Sequence, residues 1–172
     1  MTNTCAIIGS TPKCFSWGFD EEDEGCAALK LILMNRISKL IGEGYTRFAV
    51  SMDSGVGLYA AEIIYGLKDT NEELEVICYT PFEEQATKWT PELRDRYFNA
   101  LAASTEVINV AHRRTVGCEF RAHLETMTHA DTVLVICDPD DPNCEREASA
   151  IAVAEKLGKK ILQIDSQCIQ LH

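Results

Sequence analysis

Short apolar runs alternate along the chain with longer stretches whose hydrophobic residues recur every three or four positions. Thr4–Ile8 is apolar and stops at Gly9-Ser10, which reads as a first strand. Cys26–Ile41 sets Leu29, Leu33, Ile37, Leu40 and Ile41 at helical spacing and is closed by Gly42 and Gly44. Arg47–Ser51 is a second strand, Leu58–Lys68 a helix and Glu75–Thr80 a third strand. The next helix opens at Thr90-Pro91, a hydroxyl cap followed by proline, and carries Leu93, Tyr97, Ala100 and Leu101 on one face. Val107–Val110 is a fourth strand and Glu119–His129 a further helix. Thr132–Cys137 is continuously apolar, as at the centre of a parallel sheet. Glu145–Leu157 and Lys160–Ile164 supply the last long helix and the sixth strand. The alternation predicts an α/β fold, a doubly wound and mainly parallel sheet flanked by helices, built as a single domain over residues 1–172.

Ligands of such sheets sit beyond the carboxyl ends of the strands, near the topological switch. The segments at that edge are Gly9–Gly18, Ser51–Gly57, Thr80–Gln85, Asn109–Gly117 and Asp138–Asn143.

Composition narrows the partners. The 172 residues are one domain's worth, 46% hydrophobic and 25% charged, as in ordinary globular proteins. A net charge of −11 repels phosphate backbones and anionic lipid, so bulk nucleic acid and membrane are excluded as expected partners. No run approaches the ~18 apolar residues of a membrane helix, and the amino terminus lacks the basic and apolar regions of a signal peptide. Eight cysteines, at 5, 14, 26, 78, 118, 137, 144 and 168, form no C-x-x-C pair. They read as reduced structural thiols of a cytoplasmic protein, with no metal site indicated.

Ser51-Met52-Asp53-Ser54-Gly55-Val56-Gly57 joins a strand to a helix. Its glycines and the free N–H groups of the helix start suit an anion, and Asp53 and Ser54 suit ribose hydroxyls; a tight connecting turn explains the same residues. Gly9-Ser10-Thr11-Pro12-Lys13 offers hydroxyls and a lysine to a phosphate, or is a polar loop stiffened by proline. Phe15, Trp17 and Phe19 either stack on a base or fasten their loop to the body. The acidic run Asp20–Glu24 precedes a helix, where it complements the dipole. His112-Arg113-Arg114 is a basic cluster at the functional edge, with Arg121 further on. His112, His123 and His129 show no metal-like spacing, and no nucleophile–base pair is evident.

Taken together, these motifs resemble the SLOG superfamily of Rossmann-like proteins, which includes the Smf/DprA and LOG groups, and within it the YpsA-like branch. The resemblance rests on Trp17-Gly18-Phe19-Asp20-Glu21-Glu22-Asp23, Gly55-Val56-Gly57 with Ala60-Ala61-Glu62, and Pro81-Phe82-Glu83-Glu84-Gln85. Lys88-Trp89, Arg96-Tyr97, Thr115-Val116-Gly117-Cys118 and the strand ending before Asp138 extend it. It implies a homo-oligomer that binds a small molecule, a nucleotide or ADP-ribose-like ligand, with no cofactor required. The implied ligand edge comprises Gly9, Ser10, Thr11, Pro12, Ser51, Asp53, Ser54, Gly55, Gly57, Pro81, Phe82, Gln85 and Asp138.

The departures point to an altered site. Relatives typically read G-H-R-P after the first strand, against Gly9-Ser10-Thr11-Pro12; Gly57 stands where an Asp is expected, and Ala122-His123 align with Arg-Asn. Asp138-Pro139-Asp140-Asp141-Pro142-Asn143-Cys144 replaces Gly-Gly-Thr, and aspartates there would repel phosphate. The leading expectation is a sensor or regulatory protein. The alternatives are a LOG-like hydrolase of nucleotide N-glycosidic bonds, with Glu62 and Arg121 as catalytic candidates, and a protein-interaction scaffold using the loop Phe15–Phe19.

Overall fold

The computed structural model describes residues 3–166, so Cys168 lies outside the described residues. The elements follow in order as β1 (Asn3–Gly9), α1 (Glu24–Gly42), β2 (Tyr45–Ser51), α2 (Val56–Lys68), β3 (Glu75–Thr80) and α3 (Pro91–Ala103), then β4 (Glu106–Asn109), α4 (Cys118–Met127), β5 (Thr132–Cys137), α5 (Glu145–Lys156) and β6 (Lys160–Asp165). One-turn 3-10 helices, Pro12–Cys14 and Pro142–Cys144, follow β1 and β5. Asp23 caps α1, its side chain accepting from the Gly25 N–H. Pro91 opens α3 as expected, but the Thr90 hydroxyl makes no capping bond, so the proline sets that start.

All six strands are parallel, in the order β4-β3-β2-β1-β5-β6. The chain lays strands outward from β1 to β4, then returns to place β5 on the other side of β1. The topological switch is therefore between β1 and β5, and a Rossmann-like α/β fold is established.

Alternation along the strands sorts two cores. Cys5 and Ile7 of β1, Phe48 and Val50 of β2, and Leu134 and Ile136 of β5 pack with α1, α2 and α3. Ala6, Ile8, Val133, Val135 and Cys137 pack on the other face with Met127 of α4 and Ala150 and Ala154 of α5. That period of two decides where Ser51 goes. It follows Val50, which faces α1–α3, and so it turns towards α4.

Candidate functional site

A cleft of about 270 Å³ opens where the sheet ends, near the lower bound for small-molecule pockets. Its floor is Ser51, Met52 and Asp53 beyond β2, and its near wall is Thr11 and Lys13 beyond β1. Pro81, Phe82, Gln85 and Trp89 form the wall beyond β3, while Arg114, Glu119, Ala122 and His123 approach from α4 and its preceding loop. Arg146 and Glu147 complete it from α5. Gln85 is held by its side-chain amide, which donates to the Met52 carbonyl at 3.0 Å and the Tyr97 hydroxyl at 2.9 Å.

A buried hydrogen-bonded chain crosses the floor. Ser51 Oγ lies 2.7 Å from His123 Nδ1, and His123 Nε2 lies 3.1 Å from Glu147 Oε1. The three residues are 2%, 5% and 2% exposed. A carboxylate oxygen beside Nε2 fixes the ring proton there, leaving Nδ1 to accept the Ser51 hydroxyl. Glu147 Oε2 is buried without a partner.

Asp53 stands beside this chain. Its Oδ1 accepts from the N–H groups of Gly55 at 2.8 Å and Gly57 at 3.0 Å, while Oδ2 is shut from solvent without a partner. Burial pushes the carboxyl up to about 7; the two N–H bonds oppose this, and the Glu147 charge adds to it. The start of α2 is thus already filled by the chain's own carboxylate. A Cβ on Gly55 would meet the Ser10 carbonyl oxygen at 2.5 Å, and one on Gly57 would strike the Ser51 carbonyl. These glycines serve the approach of α2 to the two loops, whatever else the loop does.

The sequence-derived site residues divide accordingly. Thr11, Ser51, Asp53, Pro81, Phe82 and Gln85 line the cleft together. Gly9, Ser10, Pro12, Ser54, Gly55, Gly57 and Asp138 lie outside its lining. Ser10 knits the switch instead, its N–H donating to Ile136 and its carbonyl accepting from Val56. Asp138 turns its Oδ1 to the Asp140 N–H at 2.9 Å, and Asp141 turns its Oδ1 to the Asn143 N–H at 2.8 Å.

Glu62 and Arg121 are elsewhere. Glu62 pairs with Arg96 at 2.6 Å, and Arg96 also grips Glu21, which pairs with Lys30 at 2.7 Å. Burial favours protonated Glu21, but hydrogen bonds from Arg96 and Lys30 overcome it and hold the carboxyl below its ordinary range. Arg121 donates to the Val110 carbonyl at 2.7 Å. Of the aromatic loop, Phe15 and Trp17 stack at 4.6 Å against the core, and Phe19 is exposed.

Sequence reasoning passed over Glu119, Arg146 and Glu147, and it met His123 only as a departure, without a role. One signal was present: His123 and Glu147 interrupt the buried stripes of short helices, beside Ala122, Thr126 and Met127 in α4 and before Ala150 and Ala154 in α5.

Residues 5–169 match the family model YpsA, described as the YspA SLOG family. The chain belongs to the YpsA SLOG family. It is 32% identical over 72% of its length to a UPF0398 protein of Halalkalibacterium halodurans, and 34% identical over 63% to one of Bacillus licheniformis. The UPF0398 protein YpsA of Bacillus subtilis is 32% identical over 63% of the chain. These matches span 67%, 58% and 59% of the relatives' own lengths, so the chain covers about three-fifths to two-thirds of each. His123, which the sequence resemblance sets against an Asn, is the centre of the buried chain. The stretch from Asp138 to Asn143 folds onto its own backbone N–H groups and leads directly into Arg146 and Glu147.

Proposed function

We propose that this cleft binds a nucleotide or nucleotide-derived ligand and that the protein works as a sensor or regulator. One observation carries the reading: Asp53 and Glu147 both line this cleft, and each keeps one buried oxygen, Oδ2 and Oε2, without a partner. A buried acceptor without a donor costs about 1–3 kcal/mol, more when charged, so such a site favours a ligand bearing hydroxyl or amino donors. Ribose hydroxyls supply such donors. Lys13, Arg114 and Arg146 border the same space and suit a phosphate, while Phe82 and Trp89 suit a base.

The experiment is thermal unfolding of the full chain with ADP-ribose, nucleoside monophosphates and simple sugars. A ligand at a hundred times its Kd stabilises by about 2.7 kcal/mol. A rise in Tm with one phosphorylated ribose compound, diminished in Trp89→Ala, supports the reading. No rise with any of the three classes refutes it. The reading further places the protein in the cytoplasm as a homo-oligomer; the exposed edge strand β4 supports association, and sedimentation velocity tests it. Among the described residues, no helix is long and apolar enough to cross a membrane.

A second reading, hydrolysis of a nucleotide N-glycosidic bond, is favoured by Asp53, whose carboxyl is pushed up to about 7 by burial, with the Glu147 charge adding to it. A carboxyl that keeps its proton near neutrality can act as a general acid. Release of free base from a nucleotide panel, abolished in Glu147→Gln, tests it; no release from any nucleotide excludes it.

A further inference from the structure

β1 and β5 run side by side, and each leaves the sheet through the same short device. Pro12-Lys13-Cys14 and Pro142-Asn143-Cys144 are both single 3-10 turns that begin with proline and end with cysteine. Parallel neighbours ending in like turns bring their last residues together. Cys14 Sγ, Cys144 Sγ and a carboxylate oxygen of Asp141 all lie within 4.8 Å of one another. Cys14 is 6% exposed and Cys144 is fully buried. Ser10 Oγ, from the same crossover, lies 3.0 Å from Cys144 Sγ. The Asp141 carboxylate is oriented by the Asn143 N–H, as outer-sphere donors orient metal ligands. No residue of this cluster lines the nucleotide cleft.

We propose that Cys14, Cys144 and Asp141 form a binding site for a thiophilic divalent cation of the zinc class. Two sulfurs and one oxygen favour such an ion over calcium or magnesium, which take oxygen donors. In a tetrahedral site with Zn–S near 2.3 Å and Zn–O near 2.1 Å, donor atoms stand roughly 3.5–3.8 Å apart, so little closure is needed from the observed cluster. Binding replaces two thiol protons with one metal ion: both S–H bonds break, two protons pass to solvent, and both sulfurs donate as thiolates. No oxidant or reductant takes part. Lys13 precedes Cys14, while Arg146 and Glu147 follow Cys144 by two and three positions. The ion would therefore staple together the two 3-10 turns, one of which carries Lys13 while the other leads into α5 with Arg146 and Glu147.

The test uses the full chain, stripped of metal with a chelator, kept reduced with a phosphine, and titrated with Co²⁺ as a spectroscopic probe. The expected result is one Co²⁺ per chain with a thiolate-to-cobalt charge-transfer band, displaced by Zn²⁺. The band should vanish in Cys14→Ser and in Cys144→Ser, survive in Cys26→Ser, and form at least about tenfold more weakly in Asp141→Asn. A measurement on the unmutated chain covers the case in which a serine variant does not fold. Zn²⁺ should then protect Cys14 and Cys144 from alkylation, as located by peptide mass mapping. The proposal is overturned by an absent band, by a band that persists with both cysteines replaced, or by alkylation at Cys14 and Cys144 unchanged by Zn²⁺. It is also overturned if those sulfurs form a disulfide that persists in the phosphine-treated chain and prevents metal binding.

Discussion

Asp53→Asn isolates the unusual electrostatics of the cleft floor. In the folded protein Asp53 satisfies only one of its oxygens, and burial lifts its proton affinity from an ordinary 3.8 to about 7. Because the folded value is raised above the unfolded one, the native state keeps a proton that the unfolded chain has released. Stability therefore falls as pH rises through the window between about 4 and 7, and the loss is complete above it. At about 1.36 kcal/mol for each tenfold change in proton affinity, the gap corresponds to ~4 kcal/mol as an upper figure. Asparagine retains an oxygen for the Gly55 and Gly57 N–H groups and cannot ionise. The variant should be no more stable than the parent at pH 4 and more stable at pH 8, with several kcal/mol separating the two differences. Urea denaturation of both proteins at pH 4, 6 and 8 measures this directly. Parallel pH profiles for parent and variant would refute the account of Asp53 as a strained, buried carboxyl.

Other expectations follow from the same geometry. A ligand donating to Asp53 Oδ2 prefers the ionised carboxylate, so its affinity should rise with pH through about 7 and flatten in Asp53→Asn; isothermal titration across pH 6 to 8 reads this. His123→Ala removes the partner of both Ser51 and Glu147, leaving a buried acid unpaired, and should cost about 3–5 kcal/mol in chemical denaturation. Ser51→Ala, which removes one end of the chain only, should cost about 1 kcal/mol by the same measurement. Gly57→Ala drives a Cβ onto the Ser51 carbonyl, so a loss of about 1–3 kcal/mol is expected; an unchanged Tm would remove the close-approach argument.

The architecture was legible because each strand and helix wrote its own period. β3 and β5 begin and end where the apolar runs do, and β4 slips by only one residue, from Val107–Val110 to Glu106–Asn109. One half of the cleft was legible for a related reason. Ser51 ends β2, and Asp53, Pro81 and Gln85 sit on loops that any parallel sheet brings to its carboxyl edge. The other half comes from the inner faces of α4 and α5, and the helical period cannot say which neighbour a face will meet. His123 and Glu147 find each other only because both helices cover the same side of the sheet, and Ser51 reaches them only because alternation turns it that way. The Cys14–Cys144 cluster required the strand order itself, since β1 and β5 are neighbours in space and distant in the chain.

The placement of acid in the structure changes what the net charge means for the site. The aspartates after β5 suggest repulsion of phosphate at the switch, yet Asp138 and Asp141 spend an oxygen each on neighbouring N–H groups outside the cleft. The acids that border the cleft are Asp53, Glu119 and Glu147. Asp53 occupies the N–H groups at the start of α2 that would otherwise receive an anion. Backbone recognition of phosphate is thereby closed at that position, and cation side chains must supply it. Arg114 and Arg146 flank Glu119 at 3.9 and 4.0 Å, so an incoming phosphate would compete with a carboxylate already in place. Asp53 Oδ2 and Glu147 Oε2, by contrast, have no hydrogen-bond partner for a ligand's donor groups to displace. On the proposed reading, the cleft should reward hydroxyls and amines before phosphates, and selectivity among nucleotide-derived ligands should follow the sugar and base more than the number of phosphates.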